Sequence, residues 1–540
     1  MDQGVQRRDN FLAISTYLEE RGFASALARR LAGRELRYWT TEEITRTFNQ
    51  LHVTTDDIKN TELKSFEIRL SKEEIDAGLG PTDFVKPTWD EIVKSASSLG
   101  RLCVNKKGKF FIDPPGGYAA LSHVWSQGLG ADIECRGLHR SLIEQIFEKL
   151  APLNIEWLWM DSLAIPGSGR HLTEVEEKLK SQLINTMADI YRGASQVIIF
   201  DALVLRLLSE EAPEVAAIMC CGKWITRIWT YQEVRLAQNA IIVTESGFVS
   251  LEAMNRKLSR QFQGEGKRGS QAYNTSPIRP LGRVLDSLLN GGTGSEISLV
   301  DVAFACRGRE ATIRLDYARG LYPLLGLEWE PGLDLQAAMQ KIFESRKKEA
   351  TRLILYYGPP RASDPGWAPA VFSGVRGFAT ISPGEWKPRG VERGWFTTKP
   401  LSMEINKDKE LLNRFQLELE SESANTDSNH SSNPGPKCWM YVSSATANET
   451  PRSLSFFEGA VKEGTAYILC DRPLISRGGP SPEIRRYAIA VVKSESTDNE
   501  AWVAFTAKII STNQDTTGVK NEWLKWLLLH ENPTLPGSRD

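Results

Sequence analysis

Seven residues combine a reactive or ligand-gripping side chain with a telling position. His123, Asp161 and Asp201 each fall at or just beyond the end of an apolar run, and Arg227, Trp229 and Glu233 share one short segment, with Trp125 two residues past His123. Carboxylates and an imidazole are the usual carriers of general acid–base work. Arginine grips phosphate or carboxylate with two parallel hydrogen bonds, and tryptophan supplies a flat wall for a ligand. On these grounds Glu233, Asp161 and His123 are the candidate catalytic residues, and Arg227, Trp229, Asp201 and Trp125 the candidate substrate-binding ones. Each also has a structural reading. An Asp after a strand commonly caps the next helix, and His123 reads equally as a buried core histidine. The Trp224–Glu233 segment reads equally as a helix whose tryptophans fill core and whose arginine pairs with a carboxylate at a sheet end. On that helix Arg227 and Tyr231 are i, i+4 neighbours, and Trp229 and Glu233 are another such pair. Ser122 and Ser162 flank the same strand ends, and neither stands out as a nucleophile.

Other chemistries lack their motifs. The chain has no phosphate loop of the G-x-x-x-x-G-K-[ST] type, no H-E-x-x-H and no G-x-S-x-G. His139 and His171 are far apart, with no ligand spacing, so no metal site is expected. The seven cysteines include no C-x-x-C pair, and only Cys220 and Cys221 are close. Reduced thiols are the simplest reading, and neither a disulfide framework nor a zinc site is expected.

The elements that must position these residues follow from the apolar pattern. Tyr118–Trp125, Ile155–Met160, Gln196–Phe200 and Ala240–Thr244 read as buried strands. Leu138–Leu150, Leu172–Tyr191 and Trp224–Leu236 read as helices, with Gly193 closing the second. Alternation of apolar strands with helices implies a parallel sheet covered on both faces. In such a sheet ligands bind beyond the carboxyl ends of the strands, where strand order reverses. That is where His123, Asp161 and Asp201 are expected.

Around this core, residues 1–109 read as a helical lead-in, with Thr40 and Glu43 spaced as a capping box. Residues 110–255 form the α/β domain, and 256–350 a helical extension containing a mobile loop at Gln261–Pro277. Residues 351–540 read as a mainly β region with a disordered insert at 420–437. A formal net charge of −2 gives no global basic field for nucleic acid. The N-terminus has no secretory h-region, and Trp523–Leu529 is too short to span a bilayer. A cytoplasmic protein with no membrane partner is expected.

Four segments carry a family resemblance. Tyr118–Trp125 (YAALSHVW), Trp157–Pro166 (WLWMDSLAIP), Met187–Asp201 (MADIYRGASQVIIFD) and Arg227–Glu233 (RIWTYQE) are similar, in order and spacing, to the motifs of fungal heterokaryon-incompatibility (HET) domains. Arg307–Leu327 resembles a segment that often follows the domain, and Trp367–Val371 another. The family's second motif has a cysteine between its Leu and Ile. Here Ala164 stands there, which argues against a thiol mechanism at that position.

The resemblance implies an α/β fold with a TIR-like, flavodoxin-like parallel sheet and a role in non-self recognition and cell death. Some TIR domains cleave NAD with a glutamate. That implies NAD as a substrate rather than a resident cofactor, with Glu233 and Asp161 as the carboxylates to test. A homo-oligomer or a HET-domain partner is implied as well. The alternative is a biosynthetic enzyme on the same scaffold, such as an arginine-containing cyclodipeptide synthase drawing on aminoacyl-tRNA. Asp161 and Glu233 would then hold the arginine guanidinium. Arg256, Lys257, Arg260, Lys267 and Arg268 would offer the tRNA a basic face, unless they are merely a solvated loop.

Overall fold

The computed structural model describes residues 3–59, 63–78, 83–130, 137–166, 173–266, 276, 278–289, 297–354, 356–357, 368–373, 377–378, 383–387, 390–405, 414–420, 437–442, 449–471, 483–494, 500–512 and 522–529. The chain forms two compact units, Met1–Ile297 with Arg309–Leu333, and Ser298–Gly308 with Asp334–Asp540.

The first unit is built on a seven-stranded mixed sheet. Its strands are β1 (Leu102–Val104), β2 (Phe110–Ile112), β3 (Ala119–Ser122), β4 (Leu158–Trp159), β5 (Gln196–Ile199), β6 (Ala240–Val243) and β7 (Phe248–Ser250), in the order β2-β1-β4-β3-β5-β6-β7. The four central strands are parallel. They correspond to the four expected apolar strands and run in the chain order 2-1-3-4, so strand order reverses between β3 and β5. The expected parallel strands are thus the core of a mixed sheet, whose flanking pairings, β2 with β1, β1 with β4 and β6 with β7, are antiparallel. Connections explain two of these pairings: β1 and β2 are joined by a tight turn at Asn105–Gly108, with Gly108 at φ +72°, and β6 and β7 by one at Thr244–Gly247. Connections that short return a strand only as a hairpin.

Burial on both faces explains the near-continuous apolar strands. One face, with Ala119, Leu121, Leu158 and Ile198, packs on helix α1 (Arg140–Leu150) through Leu142, Ile143, Ile146 and Phe147. The other buries Ala120, Trp159, Val197 and Ile199. There Trp159 meets Tyr191 of helix α2 (Glu174–Gly193) edge-on at 5.5 Å. Each fully buried aliphatic or aromatic side chain contributes about 1.5–3 kcal/mol. Thr173 opens α2 with a capping box to Glu176. The lead-in helices begin in the same way, at Thr40 with Glu43, Ser71 with Glu74 and Thr88 with Glu91.

Two expectations change here. The basic residues Arg256, Lys257 and Arg260 lie not on a loop but on a helix, Leu251–Gly266. Arg256 pairs with Glu252 one turn away, and Lys257 with Glu211. Lys267 and Arg268 lie outside the described residues. The Trp224–Leu236 helix is broken. A 3-10 turn, Trp224–Thr226, is followed by extended backbone at Arg227 (φ −81°, ψ 140°) and then helix α3 (Ile228–Arg235). Residue 310 bonds to both sides of the break: the Glu310 amide donates to the Thr226 carbonyl (2.5 Å), and the Ile228 amide donates to the Glu310 carbonyl (3.0 Å).

In the second unit, strands Gly390–Thr398, Ala466–Cys470, Glu483–Lys493, Glu500–Thr512 and Glu522–Leu529 pair in a closed ring. Strands Lys437–Val442, Arg414–Leu419 and Pro400–Ile405 continue the sheet from Glu500–Thr512. Helix Glu449–Glu463 packs on it through Leu454, Phe457 and Val461. Trp523–Leu529, noted as an apolar segment, is thus part of a sheet strand. The unit also holds helices Leu299–Cys306 and Leu335–Ser345. The core of the 420–437 insert lies outside the described residues.

Candidate functional site

The parallel strands end side by side, since Ser122 is in register with Ile199, and the Phe200 amide donates to the Ser122 carbonyl (2.9 Å). The residues that follow these ends therefore converge at the point where strand order reverses. Beyond them lies a cavity of about 560 Å³. Trp125, Asp161, Arg227, Trp229 and Glu233 all line it.

Asp161, two residues past β4, is held on both oxygens. His123 Nε2 lies 2.9 Å from Oδ1, and the Trp125 indole N–H donates to Oδ2 at 2.7 Å. The Ser162 amide donates to Oδ1 as well, at 2.7 Å. Burial pushes this carboxyl up, but the His123 imidazole, Arg227 and the Trp125 N–H outweigh it and hold the group below the usual carboxylate range. Glu233, on α3, behaves in the opposite way. It is 3% exposed, and burial together with the Asp161 charge pushes it up to about 8, against the pull of the Ser122 hydroxyl, Arg227 and Arg309. Ser122 donates to Glu233 Oε2 and accepts from the Trp224 indole N–H at 2.8 Å. The site thus holds one carboxylate and one carboxylic acid at neutral pH, a division that suits base and acid roles in one cavity.

The break before α3 aims these groups. Asp201 accepts from the Trp224 amide at 2.9 Å, and from the amides of Leu203 and Val204 at 2.9 and 3.2 Å. Gly222 sits against it, and a Cβ there would come within 2.6 Å of the Asp201 carboxylate. Arg309, buried, donates to the Arg227 carbonyl (2.6 Å) and to Thr230 Oγ1 (2.9 Å). Arg227 Nη1 in turn donates to the His123 carbonyl at 3.2 Å.

Of the seven residues singled out from sequence, five line the cavity and two stand behind it. His123 is 2% exposed and touches Asp161 from behind, and its Nδ1 has no hydrogen-bond partner among the described residues. Asp201 is a buried cap for the Trp224 turn and the Leu203–Val204 amides. Arg227 and Tyr231 are not successive turns of one helix, because Arg227 precedes it.

Several lining residues were not singled out. Lys180, Ile184 and Met187 face the cavity from α2; their i, i+4, i+7 spacing marks one helical face. Glu310, Asp316 and Arg319 come from the segment after the sheet. Asn185 clips that segment to α2 by exchanging bonds with the Trp329 backbone, at 2.7 and 3.1 Å. The signal for it was the Arg307–Leu327 resemblance. Among the described residues, no group of His, Cys, Asp and Glu is arranged to hold a metal ion, and no helix is long and apolar enough to cross a membrane.

Comparison with known families supplies one match. Residues 118–203 match the model of the heterokaryon incompatibility protein (HET) family, a span that includes His123, Trp125, Asp161 and Asp201 and ends before Arg227. No curated protein and no solved structure matches the chain. The matched span holds β3, β4 and β5 and the residues at their carboxyl ends, so at family level residues 118–203 are similar to a heterokaryon-incompatibility domain, and the likeness falls on the strands that build the cavity.

Proposed function

We propose that the chain acts in non-self recognition and cell death, and that its cavity is a hydrolytic site for NAD. One observation carries this reading: Asp161 and Glu233 line a single cavity with their proton affinities pushed apart. The 2-1-3-4 order of the parallel strands supports a flavodoxin-like, TIR-like core, because such sheets bind ligands at the reversal point. In the proposed reaction the N-glycosidic bond breaks and its electron pair leaves with the nicotinamide ring as a neutral base. The Asp161 carboxylate stabilises the positive charge that develops on the ribose and takes a proton from the water that adds to it. Glu233 keeps its own proton as a hydrogen-bond donor to the substrate. His123 positions Asp161, and Trp125 and Trp229 wall the cavity.

The test is expression in yeast of the wild-type chain, Asp161→Asn and Glu233→Ala, with growth and metabolite pools followed by mass spectrometry. NAD depletion with growth arrest, relieved by either substitution, is the expected result. A new arginine-containing product with the NAD pool unchanged would refute this reading and establish the cyclodipeptide alternative. No change in either pool would leave a non-catalytic recognition module.

A further inference from the structure

We propose that Lys180, Arg227 and Arg319, gathered about Asp316 at one side of the cavity, form a subsite for the phosphate or diphosphate of an organic phosphate ester. The inference rests on the cavity being the ligand site, but not on NAD being the ligand.

The three cations come from separate places in the chain: Lys180 from the middle of α2, Arg227 from the extended residue before α3, and Arg319 from the segment clipped to α2 at Trp329. All three line the cavity. Asp316 is the carboxylate they share. Its Oδ1 is 3.4 Å from Arg319 Nη1, and Lys180 and Arg227 are close enough to act on it electrostatically. Its other oxygen is occupied by the Trp229 indole N–H at 3.0 Å. Asp316 thus meets three cations, of which Arg227 also acts on Asp161 and Glu233 and Lys180 on Glu177, and burial raises the proton affinity of Asp316 against the pull of Trp229 and these cations. Crowding is visible on the lysine as well: burial and the Arg319 charge lower its proton affinity. Bringing a dianion beside these groups would relieve that repulsion.

The geometry is that of a prepared site. The Arg319 guanidinium lies 4.8 Å from the Trp329 ring centroid, and its buried Nε has no hydrogen-bond partner among the described residues. A stacked arginine with a donor unspent suits bidentate phosphate recognition. Lys223 lines the same cavity and adds a fourth positive charge. The ionised carboxylate nearest the chemistry, Asp161, is tied up by His123 and Trp125. Trp229, fixed through its N–H to Asp316, places a rigid indole next to the subsite.

The experiment is calorimetric titration of the full chain with inorganic pyrophosphate, ADP and adenosine, at low and moderate salt, for the wild type and Lys180→Met. Arg319→Lys is a second variant, with circular dichroism to confirm that each is folded. Pyrophosphate and ADP are expected to compete for one site, with adenosine at least about tenfold weaker, which is the worth of one charge-assisted contact. Lys180→Met is expected to weaken ADP by about tenfold, to lower its salt dependence and to leave adenosine unchanged. Adenosine binding as tightly as ADP, ADP affinity unaffected by Lys180→Met, or no binding of either phosphate compound would overturn the proposal. Pyrophosphate and ADP binding at the site by a chain that leaves NAD intact would uphold the subsite while removing NAD hydrolysis.

Discussion

Replacing Glu233 by Gln removes one titration and leaves the shape of the side chain. The folded chain holds this carboxyl's proton up to about pH 8, against an ordinary value of 4.5. Because the folded value is the higher one, the folded chain keeps a proton that the unfolded chain releases. The associated stability is fully present below pH 4.5 and is lost as pH rises through about 8. At about 1.36 kcal/mol for each pH unit, the interval corresponds to roughly 5 kcal/mol at most. The Gln variant carries no such dependence. Its stability relative to the wild type should therefore rise by several kcal/mol between pH 5 and pH 9. The assay is urea unfolding of both chains across that range, followed by hydrogen exchange in peptides covering 118–125 and 196–200, which report on the sheet of the first unit alone. Parallel stability profiles for the two proteins would refute the assignment of a buried, protonated Glu233.

Asp161 has the opposite sign. Its folded value lies below 3.8, so it contributes stability that is present above that pH and lost as pH falls through the folded value. Asp161→Asn should cost about 2 kcal/mol at pH 7 and flatten the acid limb, measured by the same unfolding assay at pH 2–7. Asp201→Ala leaves the buried amides of Leu203, Val204 and Trp224 without their acceptor and should cost about 3–5 kcal/mol, read as a fall in the denaturation midpoint. Gly222→Ala drives a methyl group against the same carboxylate and should cost about 1–3 kcal/mol. Thr173→Ala removes one side of the α2 capping box and should cost about 1 kcal/mol, with faster exchange confined to the first turn of that helix.

The central strands were legible because burial on both faces leaves an unbroken apolar run, and three of the runs stop at a polar residue near the sheet end, of which only Asp161 lines the cavity. His123, Asp161 and Asp201 could be placed at the sheet ends for that reason. Their roles were not legible, because whether an Asp faces a cavity or caps a turn depends on which amides lie opposite, and the Trp224 amide that claims Asp201 is supplied by a distant part of the chain. The break at Arg227 was hidden in the same way. The local sequence suits a helix, and the interruption is imposed by backbone bonds to residue 310. Lys180 reads as an ordinary helix residue until Arg319 is brought beside it. In the second unit, the ring closes by pairing Gly390–Thr398 with Glu522–Leu529, a contact between distant segments that no local pattern announces.

The most direct test of the central claim uses purified full chain incubated with NAD at neutral pH, with nicotinamide and ADP-ribose quantified by mass spectrometry for the wild type and Asp161→Asn. Stoichiometric release of both products by the wild type, lost in a variant that circular dichroism shows to be folded at the assay pH, is the predicted result. NAD left intact by the wild type, or consumed equally by both proteins, would contradict it.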